Sequence, residues 1–297
     1  MMVSASGVRG VFGDGIEPPV AYELGLAFGT MIGGTIVVGT DTRLTRDVIK
    51  HAVLAGVLAA GCDGVDLGIC PTPSVELALR ALECRGGIAV TASHNPAEWN
   101  ALKFFGADGG LLSPEEAEGL FRLWRSGSAR PALWRKVGRC RTSDRAIPLQ
   151  AEAALSVAAV AAVKKARLTA AVDPVNGTGA LATPPLLAAL GCKMVAINTD
   201  VDVPFAHEPE PLAKNLTELC KLVRGSGAAV GFAQDPDADR LALVDETGRY
   251  VGEEYTLALC ARYALRGRKG PVVANLSTSR MIDDVAAGPA SPATARQ

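Results

Sequence analysis

One pattern occurs twice in this chain and limits what it can become. Residues 35–40, TIVVGT, form a short β-branched run; a helical stretch follows over 45–60, Gly61-Cys62 closes it, and GVDLGI at 64–69 is the next strand signal. The order returns with LTAAVD at 168–173, the turn Asn176-Gly177-Thr178-Gly179, a helical stretch at 183–190, Gly191-Cys192 and KMVAIN at 193–198. Strands joined through helices pair in parallel, and loops at their carboxyl ends face a common cleft. The repetition therefore predicts two α/β domains of related design. A third unit begins at 271–287 with a strand, a polar loop and a helix, but the tail 288–297, GPASPATARQ, carries no strand signal. We expect two complete domains and a stub, with boundaries near 139–148 and 252–255.

Several function classes are disfavoured. The net charge of −1 and the 5% aromatic content offer neither the basic excess nor the stacking platforms of a nucleic-acid binder. No apolar run reaches the length of a membrane span; the Ala-rich stretch 151–163 comes nearest, but it holds Glu152 and runs into Lys164-Lys165. The N-terminus lacks the apolar segment of a signal peptide. The seven cysteines are scattered without a C-x-x-C pair, which fits reduced thiols and a cytoplasmic location.

Two stretches carry chemistry. In GFAQDPDADRLALVDETG, residues 231–248, Asp235, Asp237 and Asp239 alternate, so an extended backbone would aim all three to one side. Two carboxylates about 4 Å apart repel by roughly 4 kcal/mol at an effective dielectric near 20, so three together call for a cation. Oxygen ligands favour Mg²⁺ or Ca²⁺. An EF-hand fails because its sixth loop position, which needs glycine, is Arg240, and the flanks read as strands. A solvated acidic turn is the plain alternative. In the second stretch, 87–100, an apolar run ends at Ser93-His94 with Pro96 beyond. The G-x-S-x-G elbow of serine hydrolases is absent, and in an extended segment His94 would point away from Ser93. Neither His51 nor His207 shows a triad context. Taken alone, Ser-His reads as a turn with a hydrogen-bonded histidine. A serine can also carry phosphate, whose oxygens would complete a metal shell. Arg9 and Lys103 add cations in Gly-rich or turn-rich settings, where a surface charge is the plain reading of either one alone.

SGVRG at 6–10, TASHNP at 91–96, NALKFFGADGG at 100–110 and DPDADR at 235–240 stand in that order. Together they resemble the α-D-phosphohexomutases, which include phosphoglucosamine mutase, phosphomannomutase and phosphoglucomutase. The resemblance runs from about residue 4 to about residue 287. The stretches 12–30 and 208–219 look most like the phosphoglucosamine and phosphomannomutase branches. The resemblance implies α/β/α domains with mixed, mostly parallel sheets: domain I over 1–142 with the phosphoserine loop, domain II over 146–252 with the metal loop, and a partial domain III over 253–297 ending in a disordered tail. It implies that Ser93 is the phosphorylated serine and that Asp235, Asp237 and Asp239 bind Mg²⁺ with the Ser93 phosphate. His94, Arg9 and Lys103 would be acid/base and charge-stabilising groups, and Arg240 would lead from the metal loop towards the phosphoserine.

The implied reaction interconverts a hexose or hexosamine 6-phosphate and 1-phosphate through a sugar bisphosphate that turns around in the cleft, with phosphoglucosamine as the favoured sugar. The family's sugar-recognition loop in its third domain and its phosphate clamp in a fourth have no match; GEEY at 252–255 keeps two letters of the former. The resemblance thus reads the chain as C-terminally truncated, with lowered turnover. A remnant that binds only metal or phosphate, and a phosphatase using the same centre, are the competing expectations.

Overall fold

The computed structural model describes residues 1–4, 6–267, 270–276, 278–287 and the backbone of 295–296. The first sheet takes its strands from β1 (Met2–Ser4), β2 (Gly7–Phe12), β3 (Gly15–Ile16), β4 (Thr35–Thr40), β5 (Asp63–Ile69), β6 (Gly86–Val90), β7 (Trp99–Phe105) and β8 (Cys140–Thr142). Their order is β1-β2-β7-β6-β4-β5-β8, with β3 beside β2. The centre is parallel, β6 and β5 flanking β4, while β7 runs antiparallel to both β6 and β2.

Helices α1 (Pro18–Ile32), α2 (Arg46–Ala59), α3 (Thr72–Ala81) and α4 (Pro114–Arg125) complete this part. The alternation of side chains along a strand means that the consecutive apolar residues Ile36, Val37 and Val38 face both sides of the sheet. Ile36 and Val38 pack with Phe28 of α1 and Val53 of α2, while Val37 points to the opposite face and packs with Val75 and Leu79 of α3. Both faces of β4 are therefore covered. Helices α1 and α2 lie so close that a Cβ at Gly56 would sit 2.1 Å from the Tyr22 carbonyl oxygen, so only glycine fits there.

Helices α5 (Ala146–Val157) and α6 (Val160–Ala166) lead into a second sheet of β9 (Thr169–Asp173), β10 (Lys193–Ala196), β11 (Val230–Gln234) and β12 (Leu241–Asp245), in the order β10-β9-β11-β12. Its helices are α7 (Gly179–Ala189) and α8 (Thr217–Ser226). Only β12 is antiparallel to its neighbour. The turn expected at 176–179 ends inside α7, which starts four residues before the expected 183. Pro184 and Pro185 mark a helix start in sequence, because proline suits the first turn, yet here they lie inside α7.

After β12 come α9 (Glu253–Gly267), β13 (Val273–Ala274), α10 (Met281–Ala286) and β14 (Ala295–Arg296). The tail carries no strand signal, yet Ala295–Arg296 pairs in parallel with Val273–Ala274. A two-residue pairing rests on main-chain groups alone, so it leaves no side-chain pattern to read. The rest of that tail lies outside the described residues. No single helix among the described residues is long and apolar enough to cross a membrane, and the apolar pair α5/α6 bends by 90° at its break.

Candidate functional site

Three strands deliver the site from their carboxyl ends. Strand β4 runs into Asp41-Thr42-Arg43, β6 into Thr91-Ala92-Ser93, and β11 into the acidic loop. The first two ends are tied together, since the Asp41 N–H donates to the Val90 carbonyl over 3.1 Å.

Ser93 is buried and adopts a left-handed backbone with φ of 50°. This corrects the extended reading. In an extended segment His94 would face away, but the left-handed turn swings the two side chains together, and His94 Nδ1 lies 3.3 Å from Ser93 Oγ. The Ser93 hydroxyl donates to Asp235 Oδ2 at 2.8 Å, across 142 residues of chain.

The acidic residues also converge by a different route from the one expected. They lie in a turn in which Ala238 has φ of 51°, not on an extended segment. That turn brings one carboxylate oxygen from each of Asp235, Asp237 and Asp239 within 4.8 Å of the others. Asp235 and Asp237 are fully buried. The Arg240 N–H donates to Asp235 Oδ1 at 3.1 Å. Asp237 Oδ2 accepts from Thr72 Oγ1 at 2.6 Å and from Lys103 Nζ at 2.8 Å, and Lys103 also reaches Asp239 Oδ2 at 3.1 Å. Asp237 Oδ1 is buried and has no hydrogen-bond partner among the described residues. A buried, unpartnered carboxylate oxygen in a cluster of three carboxylates fits a hard divalent cation, which would neutralise the cluster.

Titration follows from these contacts. Burial and the neighbouring charges of Asp237 and Asp239 push Asp235 well above the usual carboxylate range. Burial works against the Asp237 carboxylate as well, but the Lys103 ammonium outweighs it and holds the group below its ordinary value. Burial likewise opposes the charge on Lys103, and the two aspartates overcome it, so the ammonium is held well above its ordinary pKa. Burial first, and the Arg240 charge second, lower His94 and favour the neutral imidazole.

Ser93, His94, Lys103, Arg9 and Arg240 all line one cavity of about 270 Å³. The Arg9 guanidinium donates to Ser6 Oγ at 3.2 Å. The Arg240 guanidinium stands 3.7 Å from Glu210 and 3.9 Å from Glu253. The residues missed in the sequence are Thr72, which opens α3, and the Asp41-Thr42-Arg43 run. The polar run that follows the apolar centre of β4 was a visible signal; nothing marked Thr72. His207, which showed no triad context, places Nε2 3.2 Å from the buried Asp173.

Residues 1–130 match the phosphoglucomutase/phosphomannomutase α/β/α domain I, and residues 151–248 match domain II of the same enzymes. The chain belongs to the α-D-phosphohexomutase family. It is 39% identical over 288 residues to a phosphoglucomutase/phosphomannomutase of Thermococcus kodakarensis, a match covering 94% of this chain and 63% of the relative. It is 36% identical over 281 residues to a probable phosphoglucosamine mutase of Thermococcus gammatolerans, covering 94% of this chain and 62% of that protein. Among solved structures, a putative phosphomannomutase from Thermus thermophilus superimposes with a TM-score of 0.87 at 27% identity, covering 99% of this chain and 69% of the other. The chain thus spans just under two thirds of the length of these curated phosphohexomutase relatives.

Proposed function

We propose that this phosphohexomutase chain carries a phosphoryl-transfer centre in which Ser93 exchanges a phosphoryl group with a sugar phosphate. The observation that carries the reading is the 2.8 Å contact of the Ser93 hydroxyl with Asp235, inside a cluster of three carboxylates. Asp235, Asp237 and Asp239 would hold Mg²⁺, which would supply positive charge to the transferring phosphoryl oxygens. The chain's own residues account for the remainder. In the forward step a sugar hydroxyl oxygen bonds to phosphorus, the bond from phosphorus to Ser93 Oγ breaks, and the hydroxyl proton passes by way of His94 to the released Ser93 Oγ, restoring the serine hydroxyl. His94, neutral near physiological pH and beside Ser93, is the acceptor its burial suits. Lys103 stays protonated and, with Arg9 and Arg240, lends positive charge to the cavity. The reverse step returns the other phosphoryl group of the bisphosphate to Ser93.

The substrate class we assign is a hexose or hexosamine phosphate. The amino sugar is favoured by relatives named as probable phosphoglucosamine mutases at 36% and 37% identity. Incubation with glucose 1,6-bisphosphate and Mg²⁺, followed by intact mass, tests the centre. The expected result is one phosphoryl group on Ser93, absent in Ser93→Ala. No uptake would favour a chain that only binds metal or phosphate. Steady phosphate release from the monophosphate without isomer formation would favour a phosphatase.

A further inference from the structure

We propose that Arg43 is a positioning residue for Ser93, its buried guanidinium gripping the carbonyls of the Ser93 turn and so setting the hydroxyl against Asp235. The consequence for catalysis rests on the phosphoryl-transfer reading above; the geometric claim does not.

Arg43 follows β4 and is 2% exposed, which is unusual for an arginine and demands that each guanidinium nitrogen find an acceptor. Its Nη2 donates to the Ser93 carbonyl at 2.8 Å and to the Asn95 carbonyl at 2.7 Å, while Nη1 donates to the Pro96 carbonyl. Its Nε donates to Asp41 Oδ2 at 3.1 Å. Asp41 is buried beside it and accepts the Arg43 N–H on its other oxygen at 3.0 Å. Asp41 Oδ2 also accepts from Thr91 Oγ1 at 2.7 Å, and Thr91 Oγ1 accepts the Ser93 N–H at 2.9 Å. One network therefore holds both the N–H and the carbonyl of Ser93.

That double hold has a purpose the backbone makes plain. Ser93 has φ of 50°, a conformation an L-residue with a side chain leaves unless its surroundings fix it. The planar fork of arginine meets three carbonyls and a carboxylate at once; the single ammonium of lysine does not. Neither Arg43 nor Asp41 touches Ser93 Oγ, so the network acts through the main chain. The outer face of the guanidinium is covered by the Phe205 ring, 5.0 Å away, from the part of the chain that carries the second sheet. Asp202 in the same segment pairs with Arg46 at 2.8 Å. Seating of this segment thus keeps water from the fork that holds Ser93.

The test uses the whole protein with Arg43→Lys and Thr91→Val. Lysine keeps the charge and loses the fork; valine keeps the shape and loses the hydroxyl that joins Asp41 to the Ser93 amide. The first readout, without ligand, is amide hydrogen exchange at residues 93–95. The second is phosphoryl uptake by Ser93 from glucose 1,6-bisphosphate, resolved into a saturating rate and a half-saturating concentration. We expect exchange to quicken about tenfold at residues 93–95 with Gly86–Val90 unchanged, and the saturating rate to fall about 100-fold with the half-saturating concentration within about threefold, as misplacement of a reacting group by about 1 Å does. Thr91→Ser should restore both. Unchanged exchange and rate in both variants would overturn the proposal, as would protection lost equally along Gly86–Val90, which would make the network a support of the strand. A wild-type protein that takes up no phosphoryl group would end the phosphoryl-transfer reading, and local exchange would then decide the grip of Arg43 by itself.

Discussion

Replacing Asp235 by asparagine should make the metal-free protein more stable. Asp235, Asp237 and Asp239 each place an oxygen within 4.8 Å of the others, and each like-charged pair at that distance costs about 3.5 kcal/mol at an effective dielectric near 20. Lys103 offsets Asp237 and Asp239 through direct hydrogen bonds but makes none to Asp235. We therefore assign a residual cost of about 2 kcal/mol to ionised Asp235 when no metal is bound. Asparagine keeps an oxygen for the Arg240 N–H and can donate its amide to Ser93 Oγ, so the local hydrogen bonds survive. The sign in pH follows from linkage. The folded pKa of Asp235 lies above its unfolded value, so its favourable contribution is complete below about pH 4 and is lost as pH rises through the folded pKa. Urea unfolding in a chelator near neutral pH should show Asp235→Asn more stable than wild type by about 2 kcal/mol, with a flatter dependence on pH above the acid range. With Mg²⁺ at about 100 times its dissociation constant, wild type should gain about 2.7 kcal/mol and the variant almost none. A variant less stable than wild type in chelator, or one that keeps the full gain from Mg²⁺, would refute the reasoning.

Other consequences are open to direct measurement. Burial opposes protonation of His207, but its bond to Asp173 wins and raises the pKa, so the stability it contributes is complete below its unfolded pKa and lost as pH rises through the folded one. An NMR titration should place its midpoint above the ordinary histidine value, and Asp173→Asn should bring it down. Ser113 forms a capping box with Glu116 at the start of α4, so Ser113→Ala should cost about 1 kcal/mol in chemical denaturation. Helix α9 buries Ala258 but exposes Tyr255, Leu257, Leu259 and Tyr263, and its amides should exchange faster than those of β4, whose residues from 36 to 40 are fully buried. Equal protection in the two elements would count against that ordering.

The sequence by itself determined the architecture and the chemical types in the site. Alternation and helical spacing are local properties, so TIVVGT announced a strand and the repeated grammar announced two α/β domains, without knowledge of what packs where. Residue type flagged the three aspartates, and the resemblance of the ordered motifs to a known family named Ser93, His94 and Lys103 beside them. Only the tertiary structure decided how they meet. Extended geometry sends adjacent side chains apart, whereas Ser93 turns left-handed under the hold of Arg43, and the aspartates gather in a turn. The roles of Thr72 and Arg43 could not be read locally because their partners, Asp237 and the carbonyls of Ser93 and Asn95, lie 165, 50 and 52 residues away. Such bonds are set by which strands lie side by side, as β4 and β6 do, and by how the two sheets pack, as for Thr72 and Asp237, and both are properties of the whole chain that no short window of sequence contains.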